Sequence, residues 1–389
     1  MSDTADVIII GAGVHGASLA FHLARRGVAP LVLERSTVAA GATGRSSGFV
    51  RMHYDLESET RLAWASFPYF RDWAEIVGGD CGFVRTGFLQ LVGPEFTAAL
   101  RANVAMQQRV GVPSLLVSGD DVRRLAPALA TDDVDVAAYE PESGYADPTS
   151  TAAGFLAAAR EGGARLVQGC RVTAITVDGG RVSGVETDRG RFLAPIVVDA
   201  AGAWAAEVAG LAGVEVPVVP WRHDTIYLGL APGMSGRFPV VIDNATSIYF
   251  RPEGSGLMLV GAHDGSEVGG SPDRPAIGVS PEAVDRMVTR VCRRVPAMER
   301  GTFRAGHGGQ DGITPDQRAI VDRAGPDGFY LVCGFSGTGF KIAPAVGACV
   351  AELILDGRAS TVDISGYALV RFAENRPLVA SDPYAALWR

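Results

Sequence analysis

The first apolar run, Asp6 to Ile10, is β-branched and uninterrupted, the pattern of a strand buried on both faces. An amphipathic stretch continues through Arg26, Gly27 ends it, and a second apolar strand, Pro30 to Leu33, stops at Glu34. Strand, helix and strand in this order predict a βαβ unit. A helical pattern from Glu57 to about Ile76 carries Leu62, Trp64, Phe67, Phe70 and Trp73 toward a core. Cys81 to Val92 alternates like a strand, Ala98 to Val110 reads as helix, and Pro148 introduces a helix from Thr149 to Arg160. Arg165 to Val177, Arg181 to Thr187 and Arg191 to Val198 read as three strands of a meander separated by Gly turns. Val216 to Leu230, Val240 to Phe250 and Leu257 to Gly261 suit a second, largely antiparallel sheet. A strand from Phe329 to Val332, a glycine-rich turn and an Ala- and Val-rich helix to about Leu355 complete the pattern.

Composition narrows the function classes. The 389 residues, 47% of them apolar, are enough for two domains or one elaborate one. A net charge of −8 supplies no basic face for nucleic acid. No run approaches the ~18 apolar residues of a membrane span, and Met1 to Ala5 has no basic leader region. A soluble cytoplasmic protein without membrane insertion is expected. The five cysteines form no Cys-x-x-Cys and the six histidines no His-x-x-x-His, so no metal centre is expected. Of the 35 basic residues, Lys341 alone is a lysine. Genomic bias accounts for the arginines but says nothing about where that lysine stands.

Candidate chemistry concentrates in two turns. The first is Gly11-Ala12-Gly13-Val14-His15-Gly16, with Glu34 at the end of the following strand. Gly11 permits the tight turn, Gly13 lets a pyrophosphate approach the backbone, and Gly16 lets helix and strand pack closely. The helix N-terminus faces the phosphates, and Glu34 can accept the ribose hydroxyls. This constellation predicts a dinucleotide site, with His15 and His22 as ordinary helix residues. The second turn is Gly334-Phe335-Ser336-Gly337-Thr338-Gly339-Phe340-Lys341, between a strand and a helix. It aims backbone N–H groups and a helix dipole at electron-rich atoms. It is no serine nucleophile elbow, because Gly337-Thr338 follows Ser336.

Together with the small-residue loop Gly41 to Gly48, Val197-Val-Asp-Ala-Ala-Gly-Ala-Trp204 and Thr314-Pro-Asp316, these turns resemble the D-amino-acid oxidase superfamily of FAD enzymes. The chain is most similar to its sarcosine oxidase and dimethylglycine dehydrogenase branch. The resemblance spans nearly the whole chain. It implies an α/β plus α+β fold: a Rossmann-like FAD-binding domain (residues 1–80, 148–216 and 312–389) interleaved with a mostly antiparallel substrate domain (81–147 and 217–311). It also implies oxidation of a C–N bond of an amine or amino acid, secondary or N-methylated, to an imine, with electrons passing to O2 or another acceptor. A 2-hydroxy-acid dehydrogenase and a flavin-carrying subunit of a heteromeric enzyme are the alternatives, and homo- or hetero-oligomers stay open.

The expected cofactor contacts are Gly11, Gly13, Val14, His15, Gly16, Glu34, Arg35, Thr43, Gly44, Arg45, Ser46, Ser47, Val172, Ala201, Gly202, Trp204, Gly334, Ser336, Gly337, Thr338, Gly339, Phe340 and Lys341. In relatives the lysine ending the second turn also binds the substrate carboxylate, so Lys341 is a catalytic candidate. Arg51 matches an arginine placed beside the flavin, and His53 and Tyr54 follow it. Arg222, His223, Tyr249 and Arg251 are substrate candidates. Three departures stand out. The cysteine and histidine that anchor FAD covalently in relatives are missing, Arg45 standing at the histidine's place, which predicts noncovalent FAD. Asp311 takes roughly the place of an active-site tyrosine, making the pocket more acidic. The oxygen-activating lysine of some relatives has no counterpart in His263 to Val268, so a dehydrogenase becomes a serious option.

Overall fold

The computed structural model describes residues 3–254, 256–262, 265–274 and 278–384. Its centre is a six-stranded sheet in the order Arg165–Gln168, Leu31–Glu34, Ile8–Ile10, Val197–Asp199, Phe329–Cys333 and Ile320–Arg323. The first five strands are parallel and the last is antiparallel. Side chains alternate between two cores, which explains the unbroken apolar runs. Ile9, Val32, Val198 and Val332 pack with the helices Val14–Arg25, Pro148–Glu161 and Ala343–Asp356. Ile8, Ile10, Leu31 and Leu331 face a four-stranded sheet built from Asp3–Thr4, Gly190–Leu193, Arg181–Thr187 and Val172–Asp178.

A nine-stranded sheet forms the second layer system. Thr302–Ile313 lies at one edge, followed by Val219–Gly229, Leu257–Ala262, Ile248–Glu253, Val240–Asp243, Phe88–Leu91, Val136–Glu140 and Leu115–Ser118. Glu267–Val268 also pairs with Val219–Gly229. Every pairing is antiparallel except that of Val240–Asp243 with Phe88–Leu91. One face is covered by the helix Pro281–Arg294 through Met287 and Val291. The other buries Phe88, Trp221, Tyr249 and Leu259 with Phe49. The mixed α/β architecture agrees with the fold class read from the sequence.

Several elements differ from the pattern reading. Arg165–Gln168 leaves the meander and pairs in parallel with Leu31–Glu34, because Gly169 turns at φ +60° and separates it from Val172–Asp178. Val197–Asp199 likewise joins the central sheet beyond Pro195. The run from Cys81 to Val92 breaks at Gly87 (φ +78°): Val84–Arg85 pairs with Gly144–Tyr145, whereas Phe88–Leu91 enters the large sheet. The helix from Glu57 ends at Arg71 and restarts as Trp73–Ile76. Elements without a sequence reading include the strands Leu115–Ser118 and Val136–Glu140, the helices Gly119–Leu125 and Pro281–Arg294, and the glycine-rich strand Thr302–Ile313. His263 and Asp264, in the stretch compared for an oxygen-activating lysine, lie outside the described residues. Among the described residues no helix is long and apolar enough to cross a membrane.

Candidate active site

The first turn lies where the central strands end. Gly11 has φ +110°, and a Cβ there would stand 2.5 Å from the Ala200 carbonyl oxygen. A Cβ on Gly16 would stand 2.0 Å from the Gly11 oxygen, so helix and turn meet closer than any side chain allows. Gly13 caps Val14–Arg25 without a side chain, leaving helix N–H groups turned outward. The Val14 N–H donates to Thr43 Oγ1 at 3.0 Å, which seats the small-residue loop on the helix end. Glu34 accepts the Ala12 N–H at 2.9 Å and the Ser36 N–H at 2.7 Å. A carboxylate has about four acceptor positions, so Glu34 keeps capacity for hydroxyl donors.

From this turn a cavity of ≈ 690 Å³ runs between the central and nine-stranded sheets. Gly11, Gly13, Val14, His15, Glu34, Arg35, Thr43, Arg45, Ser46, Ser47, Val172, Ala201, Gly202 and Trp204 line one end and the middle. Gly337, Gly339, Phe340, His223, Tyr249 and Asp311 line the other. The Asp311 carboxylate accepts the Gly312 N–H at 2.8 Å and the Gly337 N–H at 2.7 Å. Burial raises its pKa, and the two N–H bonds oppose that rise. Tyr249 Oη and His223 Nε2 are 2.5 Å apart. Burial, reinforced by His307, lowers His223 to about 4, and burial raises Tyr249, so both stay neutral near pH 7.

Other expected residues stand behind the wall. Lys341 follows Phe340 but is buried away from the cavity, its Nζ 5.4 Å from the Tyr54 ring centroid. Burial, then the Arg51 charge, hold its pKa well below the usual lysine value, against the pull of Glu59. The Arg51 guanidinium stacks on Tyr54 at 4.6 Å and on Phe88 at 5.5 Å. Tyr54 donates to the Thr338 carbonyl at 2.9 Å, tying this cluster to the second turn. His53 meets Tyr384 Oη at 2.9 Å, and burial first, Arg51 second, lower its pKa to about 3. Gly16, Gly334, Ser336 and Thr338 shape the two turns, and Gly44 the small-residue loop, without lining the cavity. Ser336, at φ +51°, donates to Gly334 O and accepts the Thr314 N–H.

Arg251 and Arg222 do not reach the cavity. Arg251 binds the Ser47 carbonyl at 2.6 Å, the Pro252 carbonyl and Glu253, and stacks on Tyr145. Its guanidinium clamps the small-residue loop instead of addressing a substrate. Arg222 pairs with Asp224 at 3.0 Å and bonds the Gly278 carbonyl. Conversely, Trp221, Gly309, Gln310, Phe335, Cys170, Arg171 and Pro272 to Arg274 line the cavity without having been singled out. For Trp221 the alternation through His223 was the available signal.

Residues 6–353 match the profile of the family described as FAD dependent oxidoreductase. The chain belongs to this family. Human mitochondrial sarcosine dehydrogenase is 30% identical over 393 residues, covering 96% of this chain and 42% of that protein. The bovine FAD-dependent oxidoreductase domain-containing protein 1 is 31% identical over 419 residues, covering 95% of this chain and 85% of that protein. Among solved structures, L-proline dehydrogenase from P. horikoshii superposes with a TM-score of 0.90 at 26% identity, covering 97% and 100% of the two chains. Glycine oxidase from Geobacillus kaustophilus gives 0.83 at 25% identity, covering 95% and 99%. The chain thus spans less than half the length of the sarcosine dehydrogenases it matches.

The cavity fits the FAD of an FAD dependent oxidoreductase. Gly11 and Gly16 sit where a Cβ would collide with backbone, and the open helix end at Gly13 suits a pyrophosphate. His15, stacked on Phe335 at 3.5 Å, lines the cavity with both ring nitrogens buried. Burial lowers its pKa to about 3, so it is a neutral group beside the cofactor. FAD would run from Glu34 past His15 to the Gly337–Phe340 turn, with Tyr249 and His223 across from it.

Proposed function

We propose that this FAD dependent oxidoreductase oxidises the C–N bond of an amine or amino acid, a secondary or N-methyl amine first of all, to an imine that water hydrolyses. The observation that carries the reading is Asp311, a half-buried carboxyl lining the same cavity as the neutral Trp221, His223 and Tyr249. Burial disfavours its ionised form, so a cation beside it is worth more there than in water. An ammonium supplies that cation, whereas a 2-hydroxy acid does not. The names of similar proteins agree: sarcosine and proline are secondary amines.

In this reading the chain's residues bind and orient. Asp311 draws the amine to the inner end of the cavity, and Trp221 and Tyr249 wall it from solvent. Neutral His223 accepts or passes on the proton that an ammonium must lose before its α-carbon can be oxidised. Behind the Gly337–Phe340 turn, Arg51, and Lys341 in its protonated form, supply positive charge that acts through the turn on a substrate carboxylate and on the reduced ring. When bound, FAD supplies the two-electron acceptor. It is held noncovalently, and its electrons leave to O2 or to another acceptor.

Anaerobic titration of the yellow protein with N-methyl amino acids, cyclic and D-amino acids and hydroxy acids tests this directly. Bleaching by amines is expected, and bleaching by hydroxy acids alone would refute it. The speed of recolouring in air separates an oxidase from a dehydrogenase.

A further inference from the structure

At the Glu34 end the cavity is closed by a segment that the nine-stranded sheet sends across it. Residues 265–274 follow the strand Leu257–Ala262, and Pro272, Asp273 and Arg274 line the cavity beside Arg35, Arg171 and Trp204. Asp273 is the knot. Its carboxylate meets Arg35 at 2.6 Å and Arg171 at 3.7 Å, and accepts the Trp204 indole N–H at 2.9 Å. Arg35 in turn lies 4.1 Å over the Trp204 ring.

These partners come from three separate parts of the FAD-binding half. Arg35 follows Glu34 at the end of the βαβ unit, Arg171 follows the strand Arg165–Gln168, and Trp204 ends the turn after Val197–Asp199. One carboxylate therefore holds three cofactor-side elements to the segment covering them. Arg274 is engaged by Glu267 within the same segment, so Asp273 alone bridges to Arg35 and Arg171 among the ion pairs described there. The side chains of Arg35 and Asp273 remain 34% and 47% exposed, so the contact is screened by water and can break and reform.

We propose that Asp273 closes a clasp over the ribose end of the FAD cavity, so that the cofactor enters and leaves when residues 270–274, beyond the pairing of Glu267–Val268 and the Gly269 N–H bond to the Pro220 carbonyl, swing away from Arg35, Arg171 and Trp204. A clasp differs from a ligand contact in its kinetic signature. Opening lowers the barrier in both directions, so loss of the clasp accelerates association and dissociation together and changes the affinity less than either rate. Loss of a direct contact accelerates dissociation alone.

Flavin fluorescence reads both rates without any substrate, so the outcome is independent of the amine-oxidising reading. Dissociation is followed on dilution of the holoprotein, and association on mixing the apoprotein with FAD. Asp273→Ala is expected to raise both rates about ten-fold. Trp204→Phe, which keeps the ring under Arg35 but removes the N–H donor, gives a smaller rise in both. Added salt brings the wild-type rates toward those of Asp273→Ala, whose own rates respond less. Asp327→Ala, which breaks an exposed pair with Arg323 elsewhere, leaves the rates unchanged. The clasp is overturned if Asp273→Ala holds both rates within two-fold of wild type, or if dissociation alone accelerates. A wild-type chain that takes up no FAD would instead refute the cofactor assignment itself.

Discussion

Asp311 accepts the backbone N–H of Gly337 at 2.7 Å, joining the end of the strand Thr302–Ile313 to the turn that leads into Lys341. The same carboxylate is therefore both the brace of that turn and the acidic group of the pocket. Asp311→Asn keeps an acceptor for one N–H but removes the charge. It should weaken reduction by cationic amines roughly 10- to 100-fold, the loss expected for about 1.5–3 kcal/mol from a charged hydrogen bond. Rapid-scan reduction of the bound flavin measures this, and an unchanged KM for amines would remove Asp311 from substrate recognition.

Lys341→Met should lower the reductive half-reaction for carboxylate-bearing substrates by a similar factor while FAD content stays constant, because Lys341 does not line the cavity. In the wild type, affinity for such substrates should fall as pH rises through the depressed lysine pKa. Equal turnover in the variant would show that Lys341 is only a buried packing residue.

Gly16→Ala should lose most of its bound FAD. Its Cβ would fall 2.0 Å from the Gly11 oxygen, forcing the turn away from the helix end that faces the pyrophosphate. The ratio of flavin to protein absorbance after purification reports the result.

Acid precipitation should leave the flavin in the supernatant. The cysteine lining the cavity is Cys170, whose N–H bonds the Glu34 carbonyl at the ribose end, far along the cavity from the Gly337–Phe340 turn. A yellow pellet would contradict noncovalent binding.

Asp199 offers a test of stability against pH. It is fully buried, Oδ1 accepts the Ala201 N–H at 3.0 Å, and burial raises its pKa to about 8. A carboxyl raised in the folded state binds more protons folded than unfolded, so stability is fully present below the unfolded value near 4 and declines as pH rises to about 8. Asp199→Asn, of the same shape and without the ionisation, should gain on the wild type across that window by more than about 2 kcal/mol. Denaturant unfolding at several pH values would show it, and parallel pH profiles would refute the buried neutral carboxyl.

What the residue order determined alone is the cofactor half at short range. Gly11 to Gly16, the helix they cap and Glu34 lie within one βαβ unit, where spacing dictates geometry because strand, turn and helix are neighbours in the chain. The second turn was also legible in the residues, and the family resemblance added FAD and the carboxylate role of Lys341. The tertiary structure decided which side chains face the cavity. Thr302–Ile313 is too glycine-rich to announce itself as a strand, yet pairing along Val219–Gly229 sets Asp311 opposite Trp221 and brings it to Gly337. Arg251 reads as a substrate arginine until the sheet places it on the Ser47 carbonyl, 204 positions away. Asp273 and Arg35 are separated by 238 positions and meet only because the nine-stranded sheet sends a segment over the βαβ unit. Such contacts depend on strand pairing between distant segments, and no local periodicity encodes them.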